Sequence, residues 1–388
     1  MQIGLYIHLP FCLSKCDYCD FVSYTGRESL MADYVKGLAE EYHLYRDIVS
    51  QATIGTVYLG GGTPSLLSSD LIAAVLAIPM SDLGRGQVEI TMEANPGTLD
   101  EDKLAVFLAH GGTRLSLGVQ SHDDAVLREL GRAHTAEEAR SAAVQARKSG
   151  VSRINLDLIY GLPGQTLQGW RRTLEFALSL APDHLSLYSL ELHPGTPMAQ
   201  RVSAGLLTLP DEDLGRGMME SASEILTADG FLRYELASYA RPGAECLHNL
   251  NYWRNGSYLG LGVAAHSRWH GKRWFNHADP ESYLAAVHQG VRPVHGTETL
   301  GAREDLLETV MLGIRLREGL DLEVFPRRFG QTASELFLGG LEALSADGLL
   351  ETAGTRLRLT EEGVYLADYI LRKLVRGILE RVPGWQAT

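Results

Sequence analysis

Over the first two hundred positions, short apolar runs that end at glycine, proline or a polar residue alternate with longer stretches whose apolar residues recur every three or four positions. The first pattern predicts buried strands and the second amphipathic helices. Residues 3–9 read as a strand that Pro10 stops, and residues 28–49, with Leu30, Tyr34, Leu38, Tyr42, Tyr45 and Ile48 on one face, read as a helix. The rhythm repeats with strands over 56–59, 87–92, 113–119, 153–158 and 184–190. Helices are predicted over 66–76, 99–110, 124–130, 136–149 and 167–180. Six strand–helix units, each with glycine or polar residues just after the strand, predict an α/β fold: a parallel sheet curved into a partial (β/α)6 barrel. Its ligand-facing loops share one rim. Six units rather than eight predict an open, three-quarter barrel.

Beyond residue 197 the rhythm loosens. A helix over 212–228 and an aromatic, strand-like stretch over 231–239 lead to an unusual segment, 246–267. A short helix over 280–290 precedes an expected interdomain linker. Helical patterns at 303–314, 322–329, 333–346 and 361–379, with a hairpin at 349–352 and 356–360, predict a winged-helix-like accessory domain. The expected division is 1–296, with a barrel core of about 1–240, and 297–388. DNA binding is the fold-level association of such a domain, but a lid or docking role suits an acidic chain better.

Composition narrows the partners. The 388 residues suffice for one large α/β domain and a smaller one, and 45% hydrophobic with 21% charged residues is the balance of a soluble globular enzyme. A net charge of −13 argues against nucleic acid as a partner. No eighteen-residue apolar run and no basic, apolar leader are read, so a cytoplasmic location is expected. That argument leaves peripheral membrane association and oligomeric state open.

Three of the four cysteines, Cys12, Cys16 and Cys19, fall on the loop after the first strand. Cys-x3-Cys-x2-Cys lets three thiolates converge on one small body, and a cubane 4Fe–4S cluster so held keeps its fourth iron open. A structural zinc site is the alternative, but it normally uses paired Cys-x2-Cys arms and four ligands, and only the lone Cys246 follows. Disulfides fit poorly, because nothing marks the chain as secreted and three neighbouring cysteines cannot all pair. Downstream, Gly60–Gly62 end a strand where backbone can approach a ligand and offer amide hydrogens. Glu93, Gln120, Arg132 and Asp157 stand at or just beyond strand ends. Taken singly, each is a helix cap or a solvent ion pair.

The cysteine spacing, with Tyr18 just before Cys19, resembles the radical S-adenosylmethionine superfamily. The segments Gly-Gly-Gly-Thr-Pro-Ser, Glu-Ala-Asn-Pro, Leu-Gly-Val-Gln-Ser, Leu-Gly-Arg-Ala-His and Leu-Asp-Leu-Ile-Tyr-Gly-Leu-Pro are similar to its coproporphyrinogen oxidase-like subgroup. The resemblance implies S-adenosylmethionine on the open iron, with Tyr6, Tyr18, Gly61, Gly62, Thr63, Glu93, Gln120, Arg132 and Asp157 as contacts. Carboxylates suit its ribose hydroxyls and ammonium, and Arg132 its carboxylate.

The segment Cys246-Leu-His248-Asn249-Leu-Asn-Tyr252-Trp253 combines one strong ligand with flat rings. From residue types alone, an edge loop with a satisfied histidine leads. The His-Asn-x-x-Tyr-Trp pattern, however, resembles the hallmark of HemW-type haem chaperones, which implies haem at His248 and delivery to acceptor haemoproteins. Respiratory enzymes are the expected acceptors, with a haem-storing protein as a further partner. Cys246 is read as a buried apolar residue rather than an axial ligand. The competing function is oxygen-independent coproporphyrinogen III oxidase, a radical decarboxylase of porphyrinogen propionates. Two departures favour the chaperone. Phe21 stands where the oxidase pattern carries a further cysteine, and the sequence starts at the first strand, where the oxidase has an extension. Oxidase activity is therefore expected to be absent.

Overall fold

The computed structural model describes residues 1–337 and 340–381. Six parallel strands, β1 (Gln2–Leu9), β2 (Thr53–Gly61), β3 (Glu89–Ala94), β4 (Arg114–Gln120), β5 (Arg153–Tyr160) and β6 (His184–Ser189), lie side by side in sequence order. Helices Met31–Leu44, Ser69–Ala77, Glu101–Ala109, Ala136–Ser149 and Leu167–Ser179 connect them. Thr135 opens the fourth of these helices with a capping box to Glu138, and Asp100 and Thr166 cap its neighbours. The six units are as expected, and the sheet stays open. The expected helix over 28–49 is broken at Tyr45 into Met31–Leu44 and the single turn Arg46–Val49.

Alternation along the strands divides the protein into layers. Leu5, Ile7, Val57, Leu59, Met92, Leu115, Leu117, Ile154, Leu156 and Leu185 are all fully buried in one apolar core. Between them stand Gly4, Tyr6, His8, Thr56, Tyr58, Glu93, Ser116, Asn155, Asp157 and Ser186, one residue out of phase, on the opposite face of the sheet. The barrel lumen is therefore polar.

Twelve strands, not six, make the sheet. On one side β7 (Leu232–Arg233) and β8 (Ser238–Ala240) form a short hairpin pairing with β6, which replaces the continuous strand expected over 231–239. On the other, β9 (Tyr258–Leu261) runs parallel to β1, with Gly4 opposite Tyr258. It is followed by antiparallel β10 (His266–Trp269), β11 (Lys272–Asn276) and β12 (Val294–Thr299). The expected linker before residue 297 is thus largely a strand: it pairs along β11 but exposes most of its side chains, so no apolar pattern marks it. The helix before it, Pro280–His288, is where the sequence placed it.

A second apolar core gathers Leu306, Val310, Phe325, Phe337, Leu344, Leu357, Ile370 and Ile378. Helices Ala302–Gly313, Val324–Phe329, Glu361–Tyr365 and Ala367–Arg381 surround a three-stranded sheet of β13 (Leu320–Asp321), β14 (Leu350–Ala353) and β15 (Arg356–Leu359). The hairpin is as expected, and Leu366 divides the long terminal helix. Ion pairs Arg268–Asp305, Arg233–Glu361 and Arg216–Glu362 join this part to the barrel. Among the described residues, no helix is long and apolar enough to cross a membrane.

Candidate functional site at the barrel rim

The cysteine loop leaves β1 at Pro10 and is held at both ends. Cys12 N–H donates to the Tyr24 carbonyl at 2.9 Å and Tyr24 N–H to that of Pro10 at 2.7 Å. Asp17 N–H reaches the Leu130 carbonyl at 3.1 Å, and the Asp17 carbonyl accepts from Met198 N–H at 2.9 Å. A turn from Cys16 O to Cys19 N–H, 3.2 Å, brings the last two cysteines round. All three are free and half-buried. Burial raises the Cys19 thiol, and the neighbouring Cys16 and Cys12 sulfurs add to the rise.

The glycines after β2 serve this loop directly. A Cβ on Gly62 would lie 2.6 Å from the Phe11 carbonyl oxygen, and one on Gly61, where φ is 110°, 2.4 Å from the His8 ring. Close approach is needed, but to the chain's own loop. Their amides are also occupied: Gly61 N–H donates to Glu93 Oε2 at 3.1 Å, Gly62 N–H to Leu9 O at 2.9 Å, and Thr63 N–H to Phe11 O at 2.7 Å. The amide hydrogens expected to face a ligand instead bind the cysteine loop and Glu93 to the strand end.

Around the sulfurs runs a polar chain. Thr63 Oγ1 donates to Cys12 Sγ at 3.7 Å and accepts from Asn95 Nδ2 at 2.9 Å. Asn95 Oδ1 accepts from Arg132 at 2.5 Å, and Arg132 also reaches Cys16 Sγ at 3.5 Å and Gly118 O at 2.7 Å. The buried Nε of Arg132 has no partner among the described residues. An unpaired buried guanidinium donor beside three thiols suits an anionic group such as the carboxylate of S-adenosylmethionine. Asn95, which was not among the expected site residues, joins both ends of this chain. The only signal for it was its place in Glu-Ala-Asn-Pro.

Deeper in the lumen, Glu93 accepts from Tyr58 OH at 2.9 Å, and burial pushes its carboxyl up to about 7, with Asp157 adding to the rise. Asp157 accepts from Ser116 Oγ at 2.9 Å and Asn155 Nδ2 at 2.8 Å, and burial raises it as well. Gln120 ends β4 with φ of 66°, a left-handed conformation that costs a non-glycine residue about 1–3 kcal/mol. Tyr6 contacts His8 Nδ1 at 3.0 Å, and Tyr18 is half-buried near Arg132, Cys16 and Cys19, with its hydroxyl raised by desolvation. All nine residues expected to contact S-adenosylmethionine therefore gather at the rim or in the lumen beneath it. A cavity of about 350 Å³ opens there.

His248 is not among them. It lies on helix Leu247–Trp253 against Gly4 of β1 and Thr56 of β2, at the opposite end of the barrel. Gly4 and Leu9 are five residue steps apart along β1, roughly 16 Å at strand rise. The ring is fully buried, with Nδ1 2.8 Å from Thr56 Oγ1 and Nε2 2.9 Å from Tyr252 OH. Burial lowers its basicity to about 3. Glu89 accepts from His248 N–H at 3.0 Å, lies beside Arg114, and accepts from the Cys246 thiol at 3.6 Å, completing a closed floor.

The open barrel with three loop cysteines at its rim is that of a radical SAM protein, and residues 6–177 match the Radical SAM superfamily model. That membership implies a 4Fe–4S cluster and S-adenosylmethionine. Residues 300–366 match the HemN C-terminal domain. "Heme chaperone HemW" of Mycobacterium tuberculosis (strain ATCC 25618 / H37Rv) is 39% identical over 96% of this chain and 94% of its own length. The protein of that name from Bacillus subtilis (strain 168) is 34% identical over 94% and 97%. Coproporphyrinogen III oxidase (HemN) from Escherichia coli shares the fold, with a TM-score of 0.82 over 97% of this chain and 89% of that one, at 24% identity. The chain belongs to the HemW haem chaperone family of radical SAM proteins.

Proposed function

We propose that this protein binds a 4Fe–4S cluster, S-adenosylmethionine and haem, and delivers the haem to acceptor haemoproteins. The observation that carries the reading is the half-buried three-thiol loop beside an Arg132 Nε that has no partner among the described residues, in a chain whose relatives along nearly its whole length are named heme chaperones. Cys12, Cys16 and Cys19 hold the cluster. When bound, such a cluster supplies an electron and an open iron for the amino and carboxylate groups of S-adenosylmethionine. Tyr6, Tyr18, Gly61, Gly62, Thr63, Glu93, Gln120, Arg132 and Asp157 surround that cofactor, with Arg132 on its carboxylate and Glu93 and Asp157 on its cationic and hydroxyl groups.

His248 belongs to this reading as the motif's histidine. It contributes through the floor it holds together, and it ligates iron only in a state where helix Leu247–Trp253 has left the barrel. Residues 297–388 act as the accessory unit that presents the rim to acceptors, in the cytoplasm. The test is anaerobic reconstitution with iron and sulfide, followed by haem titration and a coproporphyrinogen assay in parallel. Stoichiometric haem uptake without protoporphyrinogen supports the chaperone. Sustained decarboxylation would transfer the protein to the oxidase class.

A further inference from the structure

We propose that His266, on the sheet extension at the barrel mouth, is the residue that first takes haem iron while the floor stays closed. The inference rests on the haem-chaperone reading and gives it a place on the surface.

The cavity at the rim has two walls of different character. Tyr6, Gly61 and Glu93 form the inner one, already assigned to S-adenosylmethionine, whereas Phe21 and His266 contribute to the outer one. Two histidines line this cavity, and they differ in what their rings are free to do. His8 is engaged at both nitrogens, by Tyr6 OH at 3.0 Å and the Val22 carbonyl at 2.8 Å. His266 is exposed, and among the described residues neither of its ring nitrogens has a hydrogen-bond partner. His248 is enclosed and doubly bonded. Only His266, of the three, offers a lone pair to an incoming iron in the conformation described. Partial desolvation of the ring, with the nearby Arg273 guanidinium, lowers its basicity below the ordinary imidazole value, which favours the neutral form that a metal ligand needs.

Beside His266 the outer wall carries Phe21, Val22 and Ala264, a surface that suits the apolar face of a macrocycle, with Asp20 as its one carboxylate, paired with His193. The His266 ring is stacked on Phe275, with centroids 5.3 Å apart and planes 26° apart, which fixes its orientation. Phe275 can lie there because Gly296 of β12 has no side chain; a Cβ would fall 2.6 Å from the phenyl ring. Phe21, 64% exposed on the cysteine loop, supplies a second apolar surface. Lys15 Nζ donates to the Phe21 carbonyl at 3.2 Å, placing a cation beside that surface where a propionate can meet it. Ligation requires only that an imidazole nitrogen donate its lone pair to the iron and displace a water; no electron is transferred. Haem held here lies in the same cavity as the residues assigned to S-adenosylmethionine, which gives the rim a direct means of sensing whether haem is loaded.

The test is titration of the full-length protein with ferric haem, followed by visible and electron paramagnetic resonance spectra, for the wild type, His266→Ala, His266→Gln and His248→Ala. His43→Ala serves as a control for adventitious binding to an exposed histidine. Circular dichroism checks the fold of each. The expected result is an imidazole-ligated spectrum in the wild type and the His43 variant. Both His266 variants should lose it and bind about tenfold or more weakly, and free imidazole should restore it in His266→Ala. Wild-type spectrum and affinity in both His266 variants would overturn the assignment and leave haem binding intact. Loss confined to a folded His248→Ala would also overturn it. A wild type that takes up no haem would remove the haem reading itself, and this inference with it.

Discussion

At the rim, Arg132 bridges Cys16, Asn95 and Gly118 and still has a buried Nε without a partner among the described residues; at the floor, both nitrogens of the His248 ring are engaged. The same strands build both ends, and both are polar. At the rim three half-buried thiols stand on one loop, whose Asp20, Phe21 and Val22 line a cavity that opens to solvent. At the floor Thr56, Tyr252, Tyr58 and Gly4 pack about a fully buried imidazole, and Glu89 holds its backbone N–H. Among the described residues each end keeps an unpartnered guanidinium nitrogen, Arg132 Nε at the rim and Arg114 Nη1 at the floor, so what separates them is access: the rim opens to a cavity, whereas the His248 ring has both nitrogens engaged and is fully buried.

Removing a sulfur separates the two ends most sharply. Cys16→Ala should abolish the visible absorbance of the reconstituted cluster while the far-ultraviolet circular dichroism stays that of the wild type, because the floor and the apolar core are untouched. Retained iron with normal absorbance would break the assignment of the rim loop. At the other end, His248→Ala leaves Thr56 Oγ1 and Tyr252 OH without their partner and opens a cavity. It should destabilise the protein by about 3 kcal/mol in chemical denaturation. Cluster content should remain normal. Unchanged stability would show that the floor is not closed in solution.

Arg132→Met tests whether the unpaired donor faces a ligand. Loss of a charge-assisted pair should weaken S-adenosylmethionine binding by about 2 kcal/mol, near thirtyfold, with much less effect on the denaturation midpoint than His248→Ala. The smallest effect is a proton. Burial holds Glu93 at about 7, so between its unfolded value and that pH the folded chain keeps a proton that the unfolded chain has released. Its contribution to stability is therefore fully present below the unfolded value and falls as pH rises towards about 7. A cation bound beside Glu93 favours the carboxylate. Binding of S-adenosylmethionine near pH 6.5 should then release up to about one proton, seen as a buffer-dependent heat in calorimetry and lost in Glu93→Gln.

The two ends also differ in how legible they were. Cysteine spacing, three glycines and the polar residues after each strand announced the rim, since local chemistry and strand periodicity act over a few residues. What sequence could not show is that the Gly61, Gly62 and Thr63 amides turn inward, because their acceptors lie on β1, the cysteine loop and Glu93. The floor was illegible for a related reason. Glu89, Arg114 and His184 are single polar residues at strand starts, and only the parallel register gathers them near a helix that follows all six parallel strands. Strands β9 to β12 escaped because they are short and their exposed edge carries no apolar run. Family resemblance supplied His248, but not its enclosure.

Hydrogen exchange with and without stoichiometric ferric haem compares the two ends in one measurement. The account predicts new protection at residues 12–24 and 262–276, with the slow amides of 247–253 unchanged. Faster exchange in 247–253 on haem binding, with the rim segments unaffected, would place the haem at the floor and contradict it.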